Sequence, residues 1–361
     1  TWLYRALVFL VISCPCALVV SVPLAIFAGI GAEAKLGIMF KGGNYLQTLA
    51  ETKTIVFDKT GTLTEGVFAV QGLEVLAPST TQEHIMDLAV AVEAFSTHPI
   101  AKAIVAHSGG RTILTTTEIK EHGGKGLEAQ HEGKRILVGN RKLLQDNGIS
   151  VPHSLKSYGT EVFVVEEALL LGRIIISDKI REDMVATLRA LSSLGIQKTI
   201  MLTGDRKEAA LSTARDLGIS DVRSDLLPED KVTEFEKILI QKKNGPVAFV
   251  GDGINDAPVL ARADLGIAVG GMGSDAAIEA ADAVIMADDI SRLVPAVAVA
   301  RKTMRIVRQN IVFALAVKIG IMGLGALGIA GMWMAIFADV GVALLAILNS
   351  LRSLRLPQQE K

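Results

Sequence analysis

The stretch Ile55-Val56-Phe57-Asp58-Lys59-Thr60-Gly61-Thr62-Leu63-Thr64 decides how this chain is read. An apolar, β-prone run delivers one aspartate to a turn built from Lys, Thr and Gly. A carboxylate offered at the end of such a strand is a candidate nucleophile. The sequence on either side of Asp58 supports or weakens that assignment.

Half of the 361 residues are hydrophobic, 4% are aromatic and 21% are charged. A mean hydropathy of +0.42 is high for a soluble protein with that many charges. Soluble domains of ordinary composition with membrane segments at the two ends account for it. The net charge of −1 gives no reason to expect a nucleic-acid partner. The two cysteines, Cys14 and Cys16, flank a single proline, a spacing expected to be too short for an unstrained bridge. No basic leader or small-residue cleavage site opens the chain. Thr1 stands directly before a hydrophobic segment, so the chain reads as part of something longer.

Upstream of the nucleophile, Leu3 to Ala32 is almost continuously apolar and long enough to cross a bilayer as a helix. Pro15 removes a backbone hydrogen bond inside it, predicting a kink between two soft sulfur ligands. Irregular backbone at that depth is tolerated where it is buried or lines a cavity. Gly37 to Leu49 reads as an interfacial turn and short helix.

Downstream, residues 66–171 have the composition of a soluble α/β insert. Helices are expected over Gln82–Phe95 and Pro99–His107, with strands around Ile119, Leu137 and Val162. After Ser177, strands and helices alternate. Met184–Leu194 is amphipathic, Thr199–Leu202 is a strand, Lys207–Leu217 is a helix closed by Gly218, and Val247–Val250, Leu265–Val269 and Ala283–Met286 are strands. Such alternation predicts a parallel sheet with helices on both faces and ligands at the carboxyl ends of the strands. Asp58, Thr203-Gly204-Asp205 and Asp252 all fall at strand ends of that kind.

Two spans close the chain, near Ile311–Ala330 and Met334–Leu348, with Gly331-Met332-Trp333 as the turn between them. Arg301, Lys302, Arg305 and Arg308 precede the pair and Arg352 and Arg355 follow it. Both ends and the large soluble region are therefore expected on the cytoplasmic side, with Arg5 the one dissenting charge.

A carboxylate attacking a phosphoryl group needs a divalent cation, a fixed positive charge and donors for the equatorial oxygens. Asp252 and Asp256, four apart, are candidate Mg²⁺ ligands. Lys231 is the candidate cation and Thr203 a candidate hydroxyl donor. Each alone is ordinary turn chemistry; four such elements at successive strand ends are not.

Asp58-Lys59-Thr60-Gly61-Thr62, Thr203-Gly204-Asp205 and Gly251-Asp252-Gly253-Ile254-Asn255-Asp256 resemble the signatures of P-type ATPases, within the haloacid-dehalogenase-like superfamily. The resemblance implies a Rossmann-type α/β phosphorylation domain, residues 37–65 and 172–300, with an inserted α+β nucleotide-binding domain, residues 66–171. One transmembrane helix over 1–36 precedes them, and two with a short tail over 301–361 follow. It implies that ATP phosphorylates Asp58, with Lys59, Thr60, Thr203, Gly204, Asp205, Lys231 and Asn255 in the catalytic set, and Mg²⁺ held by Asp58, Thr60, Asp252 and Asp256. Phosphatases of the superfamily usually carry a second aspartate two residues after the nucleophile. Here that position is Thr60, so the aspartyl phosphate should persist.

The insert resembles the nucleotide-binding domain of the heavy-metal branch. Ser96-Thr97-His98-Pro99 is similar to its Ser-Glu-His-Pro motif, with Thr97 in place of Glu. Glu93, His98, Gly124, Gly126, Gly139 and Asn140 match the positions around the adenine and phosphates. The plainer alternatives are that Ser96 or Thr97 caps the helix begun by Pro99 and that His122 to Gly126 is a hairpin turn.

Cys14-Pro15-Cys16 is the heavy-metal signature, and two thiolates select soft or borderline ions. Lys318 and Asp339 are ionisable residues inside hydrocarbon, which are costly and usually functional or paired. Asp339 could serve as a third ligand and Lys318 as its counter-charge when the ion is absent. Lys318 with Asp339-Val340-Gly341 resembles the zinc/cadmium/lead subgroup. The implied protein is an integral membrane protein of a bacterial plasma membrane with cytoplasmic soluble domains, using ATP and Mg²⁺ to export Zn²⁺, Cd²⁺ or Pb²⁺. The rivals are a membrane-anchored phosphohydrolase of the same fold and a non-transporting ATP-binding fragment. No Thr-Gly-Glu, the family's dephosphorylating loop, occurs in the chain. The missing first half of the pump is thus an expected partner, and the chain alone is expected to form a phosphoenzyme without efficient turnover.

Overall fold

The strand expected to end on Asp58 does so. Thr54–Asp58 is extended, and Ile55, Val56 and Phe57 have no exposed surface. Side chains buried on both faces suit a parallel strand covered on both sides. The computed structural model describes residues 2–109, 114–152, 159–242, 245–252, 256–270 and 275–356. Asn255 and the side chain of Arg5 lie outside the described set.

The strands, in chain order, are β1 (Ile38–Phe40), β2 (Thr54–Asp58), β3 (Thr64–Val75), β4 (Thr117–His122), β5 (Gly126–His131), β6 (Lys134–Gly139), β7 (Thr160–Glu166), β8 (Leu169–Ile180), β9 (Lys198–Leu202), β10 (Asp221–Arg223), β11 (Val247–Gly251), β12 (Leu265–Val269) and β13 (Ala283–Ile285). The chain forms two compact units. The first takes Thr1–Asp58, Asp183–Leu202 and Leu226–Lys361; the second takes Lys59–Glu182 and Thr203–Asp225.

In the first unit the strand order is β1-β13-β12-β11-β2-β9. The run from β13 to β9 is parallel, and β1 lies antiparallel on the edge. Val56, Ile200, Phe235, Phe249 and Val284 form its core, with the Phe235 and Phe249 rings edge to face at 5.6 Å. Parallel strands bring their carboxyl ends to one edge, and there β2 ends on Asp58 while Asp252 follows β11.

The membrane helices of this unit break where Pro15 predicts: Trp2–Ser13 stops and Cys16–Lys35 starts. Among the described residues, three helical stretches are long and apolar enough to cross a membrane: Val8–Lys35, Ile290–Ala326 and Met332–Leu354. The penultimate helix starts earlier than its hydropathy suggests, running unbroken from Leu293 to Ala326. Arg301, Lys302, Arg305 and Arg308 lower the hydropathy of its first half without disturbing the backbone ladder. The reversal also precedes the expected Gly331-Met332-Trp333. Gly328 takes φ +78°, and the Ile329 and Ala330 amides donate to the Leu324 carbonyl. Met332 and Trp333 already belong to the last span.

The second unit holds the sheet β3-β8-β7-β6-β5-β4, antiparallel throughout. Helix Gln82–Glu93 ends two residues before the expected Phe95, and Pro99–His107 has the expected bounds. Ile85, Leu88 and Ile104 from these helices pack on Ile136, Val138, Val164 and Ile174 of the sheet. On the other face Leu137, Leu143, Leu144 and Phe163 form a smaller core.

Candidate active site

In the first unit, Asp58, Asp252 and Asp256 each bring a carboxylate oxygen within 4.8 Å of the other two. Lys231, in the first turn of helix Pro228–Gln241, donates to Asp58 Oδ1 at 2.5 Å and to Asp256 Oδ1 at 2.9 Å. Gly251 permits the approach of Asp256, because a Cβ there would meet Asp256 Oδ2 at 2.8 Å. Burial, and then the Asp256 charge, push the Asp58 carboxyl up to about 7, with Lys231 opposing and Asp252 adding to the rise. Three converging carboxylates and a single ammonium leave negative charge uncompensated, which suits a hard divalent cation with oxygen ligands.

In the second unit the residues after Asp58 form a tied loop. Lys59 Nζ lies 2.5 Å from Asp205 Oδ2, and the Asp205 amide donates to Thr203 Oγ1 at 3.1 Å. Gly61 takes φ +73°, and Thr60 is exposed. Arg181 donates from Nη2 to the Gly61 carbonyl at 2.7 Å and from Nε to the Thr62 carbonyl at 2.8 Å. The Thr64 hydroxyl is 2.9 Å from the Lys59 carbonyl and 2.5 Å from Asp178 Oδ2. One hydroxyl proton cannot serve both acceptors. Burial raises the Asp178 pKa. A protonated Asp178 donating to Thr64, which donates to Lys59, satisfies both contacts. Sequence reasoning missed Asp178 and Arg181; the cue was an Asp and an Arg three apart ending an apolar strand.

The second unit also contains an open cleft whose lining includes Glu93, His98, Gly124, Gly126, Gly139 and Asn140. These six residues, matched by family resemblance, therefore do meet. Several have structural work there. His98, rather than Ser96 or Thr97, caps helix Pro99–His107: its Nδ1 accepts from the Ile100 amide at 3.2 Å. Asn140 caps helix Arg141–Asp146 through Oδ1, and its Nδ2 donates to the Gly124 carbonyl at 2.9 Å. Gly126 and Gly139 are cross-strand partners in β5 and β6, and a Cβ on either would fall within 2.3 Å of a carbonyl oxygen. Burial, with the Glu121 charge second, pushes the Glu93 carboxyl up to about 7.

In the membrane helices, ligand atoms of Cys14, Cys16 and Asp339 lie within 4.8 Å of one another. Lys318 Nζ is 3.8 Å from Asp339 Oδ1 and donates to the Ile12 carbonyl at 3.2 Å, in the last turn before the break. Cys14 and Cys16 are joined as a disulfide. Pro15 breaks the helix between them and sets their Cα atoms 5.5 Å apart, within bonding range.

A parallel sheet ending in an aspartate cluster with one lysine defines a class. The chain belongs to the haloacid dehalogenase-like hydrolases, whose family match spans residues 52–264. Within that class its homologues are heavy-metal P-type ATPases. The cadmium, zinc and cobalt-transporting ATPase of Bacillus subtilis (strain 168) is 49% identical over 98% of this chain and 51% of its own length. A crystal structure of a zinc-transporting PIB-type ATPase in the E2.Pi state superposes with a TM-score of 0.85 at 39% identity, covering 98% of this chain and 58% of that one. The catalytic domain of the CPx-ATPase CopB-B matches with a TM-score of 0.56 at 31% identity over 73% of this chain and 96% of that one. The chain spans about half the length of the curated relatives it matches.

Proposed function

We propose that the chain forms part of an ATP-driven pump that moves a soft divalent cation, Zn²⁺, Cd²⁺ or Pb²⁺, across a membrane through a phosphoaspartate on Asp58. The observation that carries this reading is Lys231 bridging Asp58 and Asp256, with Asp252 beside them at the carboxyl edge of a parallel sheet. A carboxylate oxygen of Asp58 attacks the γ-phosphorus of ATP. The bond to the β-phosphate oxygen breaks, and ADP leaves with the electron pair. Lys231 offsets the negative charge of nucleophile and phosphoryl group as they approach. Asp58, Asp252 and Asp256 are the residues here that would hold Mg²⁺, which supplies charge neutralisation at the phosphoryl oxygens when bound. Thr60, two residues past the nucleophile, has no carboxyl group to activate water, which favours a lasting acyl phosphate over immediate hydrolysis. That favours a pump over a membrane-anchored phosphatase of the same fold.

ATP enters this reading through the cleft of the second unit, and the cargo through Cys14, Cys16 and Asp339. Two thiolates and a carboxylate suit a borderline divalent ion, so the ion-binding form is the one with both sulfurs reduced. Lys318 then neutralises Asp339 when no ion is held. Incubation with [γ-³²P]ATP and Mg²⁺ tests the reading. A hydroxylamine-labile label is expected on the wild-type chain and none on Asp58→Asn. Label that survives in Asp58→Asn would rule the mechanism out.

A further inference from the structure

One residue of the cleft, at the start of the turn from β4 to β5, has no role in the ATP reading so far. His122 ends β4, lines the cleft beside Glu121 and Gly124, and is held from behind. Its Nε2 is 3.0 Å from Glu128 Oε2 on β5. Glu128 is gripped in turn by Arg135 of β6, Nε to Oε1 at 2.7 Å and Nη2 to Oε2 at 2.9 Å. Arg135 Nη2 also donates to Asn147 Oδ1 at 2.7 Å. This chain crosses three adjacent strands and fixes one imidazole at the mouth of the cleft.

The hydrogen bonds set the tautomer. The Arg135 fork, more than any other contact, pulls the Glu128 carboxyl down to about 2, so it is an anion that only accepts. His122 must therefore donate from Nε2, and the neutral ring is left with a bare lone pair on Nδ1. Across the same cleft His98 has the opposite arrangement. Its Nδ1 accepts from the Ile100 amide, so its proton sits on Nε2. The cleft thus offers one fixed acceptor and one fixed donor above an apolar floor that includes Ile100, Leu127 and Val162. Adenine presents the complement, a 6-amino donor beside ring-nitrogen acceptors, whereas a 6-oxo purine presents an acceptor where adenine donates.

We propose that His122 is a specificity-determining residue of the nucleotide cleft, its Nδ1 accepting from the 6-amino group of adenine, with Glu128 and Arg135 as positioning residues that hold its tautomer. The inference rests on the reading of this cleft as the ATP site and adds which base it takes and why. A buried or half-buried acceptor facing another acceptor loses a hydrogen bond and keeps two desolvated lone pairs, so discrimination exceeds what a missing contact alone would give.

Titration calorimetry of the chain with ATP and with inosine triphosphate, in which a 6-oxo acceptor replaces the 6-amino donor and N1 carries a hydrogen, tests it. The wild type should bind ATP more tightly than inosine triphosphate. His122→Ala should weaken ATP about fivefold to tenfold and leave inosine triphosphate unchanged or slightly tighter. His122→Asn, whose amide oxygen can take the place of Nδ1, should recover part of the ATP preference. Glu128→Gln should lower the preference in the wild-type background and have no further effect on top of His122→Ala. Equal weakening of both nucleotides by His122→Ala and His122→Asn, or an unchanged ratio in both variants, overturns the inference while leaving the ATP site standing. Wild-type binding of neither nucleotide overturns the ATP reading and this inference with it.

Discussion

Lys231 Nζ stands 2.5 Å from Asp58 Oδ1, and the same ammonium reaches Asp256 at 2.9 Å. One cation is shared between Asp58 and Asp256, and it opposes the burial that drives the Asp58 pKa upward. Lys231→Ala removes the only side-chain ammonium bonded to this cluster among the described residues. The acyl phosphate level formed from ATP at pH 7 should fall by two to three orders of magnitude, about 3–4 kcal/mol of transition-state stabilisation. Phosphoenzyme formation rates from quench-flow would check this, and a loss under fivefold would remove Lys231 from the mechanism.

The loop after Asp58 turns on which of Thr64 and Asp178 carries the proton between their side chains. If Asp178 is protonated against Thr64, then Asp178→Asn keeps a donor in place and should cost under about 1 kcal/mol. Asp178→Ala leaves the Thr64–Lys59 contact without its second partner and should cost about 2 kcal/mol. Urea unfolding of the two variants separates the cases, and equal losses would mean that Asp178 is ionised.

Glu93 supplies a pH dependence with a definite sign. Its carboxyl is raised to about 7 in the fold from a usual 4.5, so the folded state holds a proton that the unfolded chain releases. Its stabilising contribution is complete below about pH 4.5 and is lost as pH rises through 7. Glu93→Gln should therefore match the wild type near pH 4 and exceed it at pH 8 by about 3 kcal/mol. Parallel denaturation curves at the two pH values check this; a pH-independent difference would contradict it.

Gly126 and Gly139 face each other across β5 and β6 with no room for a methyl group. Gly139→Ala should destabilise the second unit by more than about 2 kcal/mol, because a carbonyl oxygen, not a mobile side chain, meets the new Cβ. ATP affinity should fall only where folding does. Calorimetric unfolding and nucleotide titration on the same sample decide, and lost binding in a fully stable variant would give the glycine a direct ligand role.

The membrane site should respond to thiol state. Reduced chain should bind one Zn²⁺, and the disulfide form should bind at least 100-fold more weakly, since a thiolate rather than a disulfide sulfur is the ligand. Asp339→Asn should weaken the reduced site by about tenfold to a hundredfold. Competition with a chromophoric chelator, with and without reductant, measures both. Equal affinity in the two thiol states would exclude the cysteines as ligands.

Much of this was legible in the residues. The apolar run before Asp58 fixed β2, the proline between the cysteines fixed the helix break, and Gly218 closed its helix in the left-handed conformation. These are local effects, settled by backbone sterics and side-chain periodicity within a few residues. The start of helix Leu293–Ala326 was not legible, because hydropathy reports the solvent a segment prefers and not where its ladder begins. Nor was His98 as the cap, since histidine is not among the usual capping residues and its Nδ1 meets the Ile100 amide only through the side-chain geometry of the fold.

The sequence by itself determined the strand that ends on Asp58, the alternation of strands and helices after Ser177 and the membrane break, because each is written in residues adjacent along the chain. Only the tertiary structure decided what each polar group is bonded to. It bridged Asp58 and Asp256 through Lys231, left Asn140 capping a helix, and chained His122 to Arg135 through Glu128. Those pairings join residues as many as 173 positions apart, and a hydrogen bond acts over about 3 Å whatever its sequence separation. Chemistry at that range belongs to the fold.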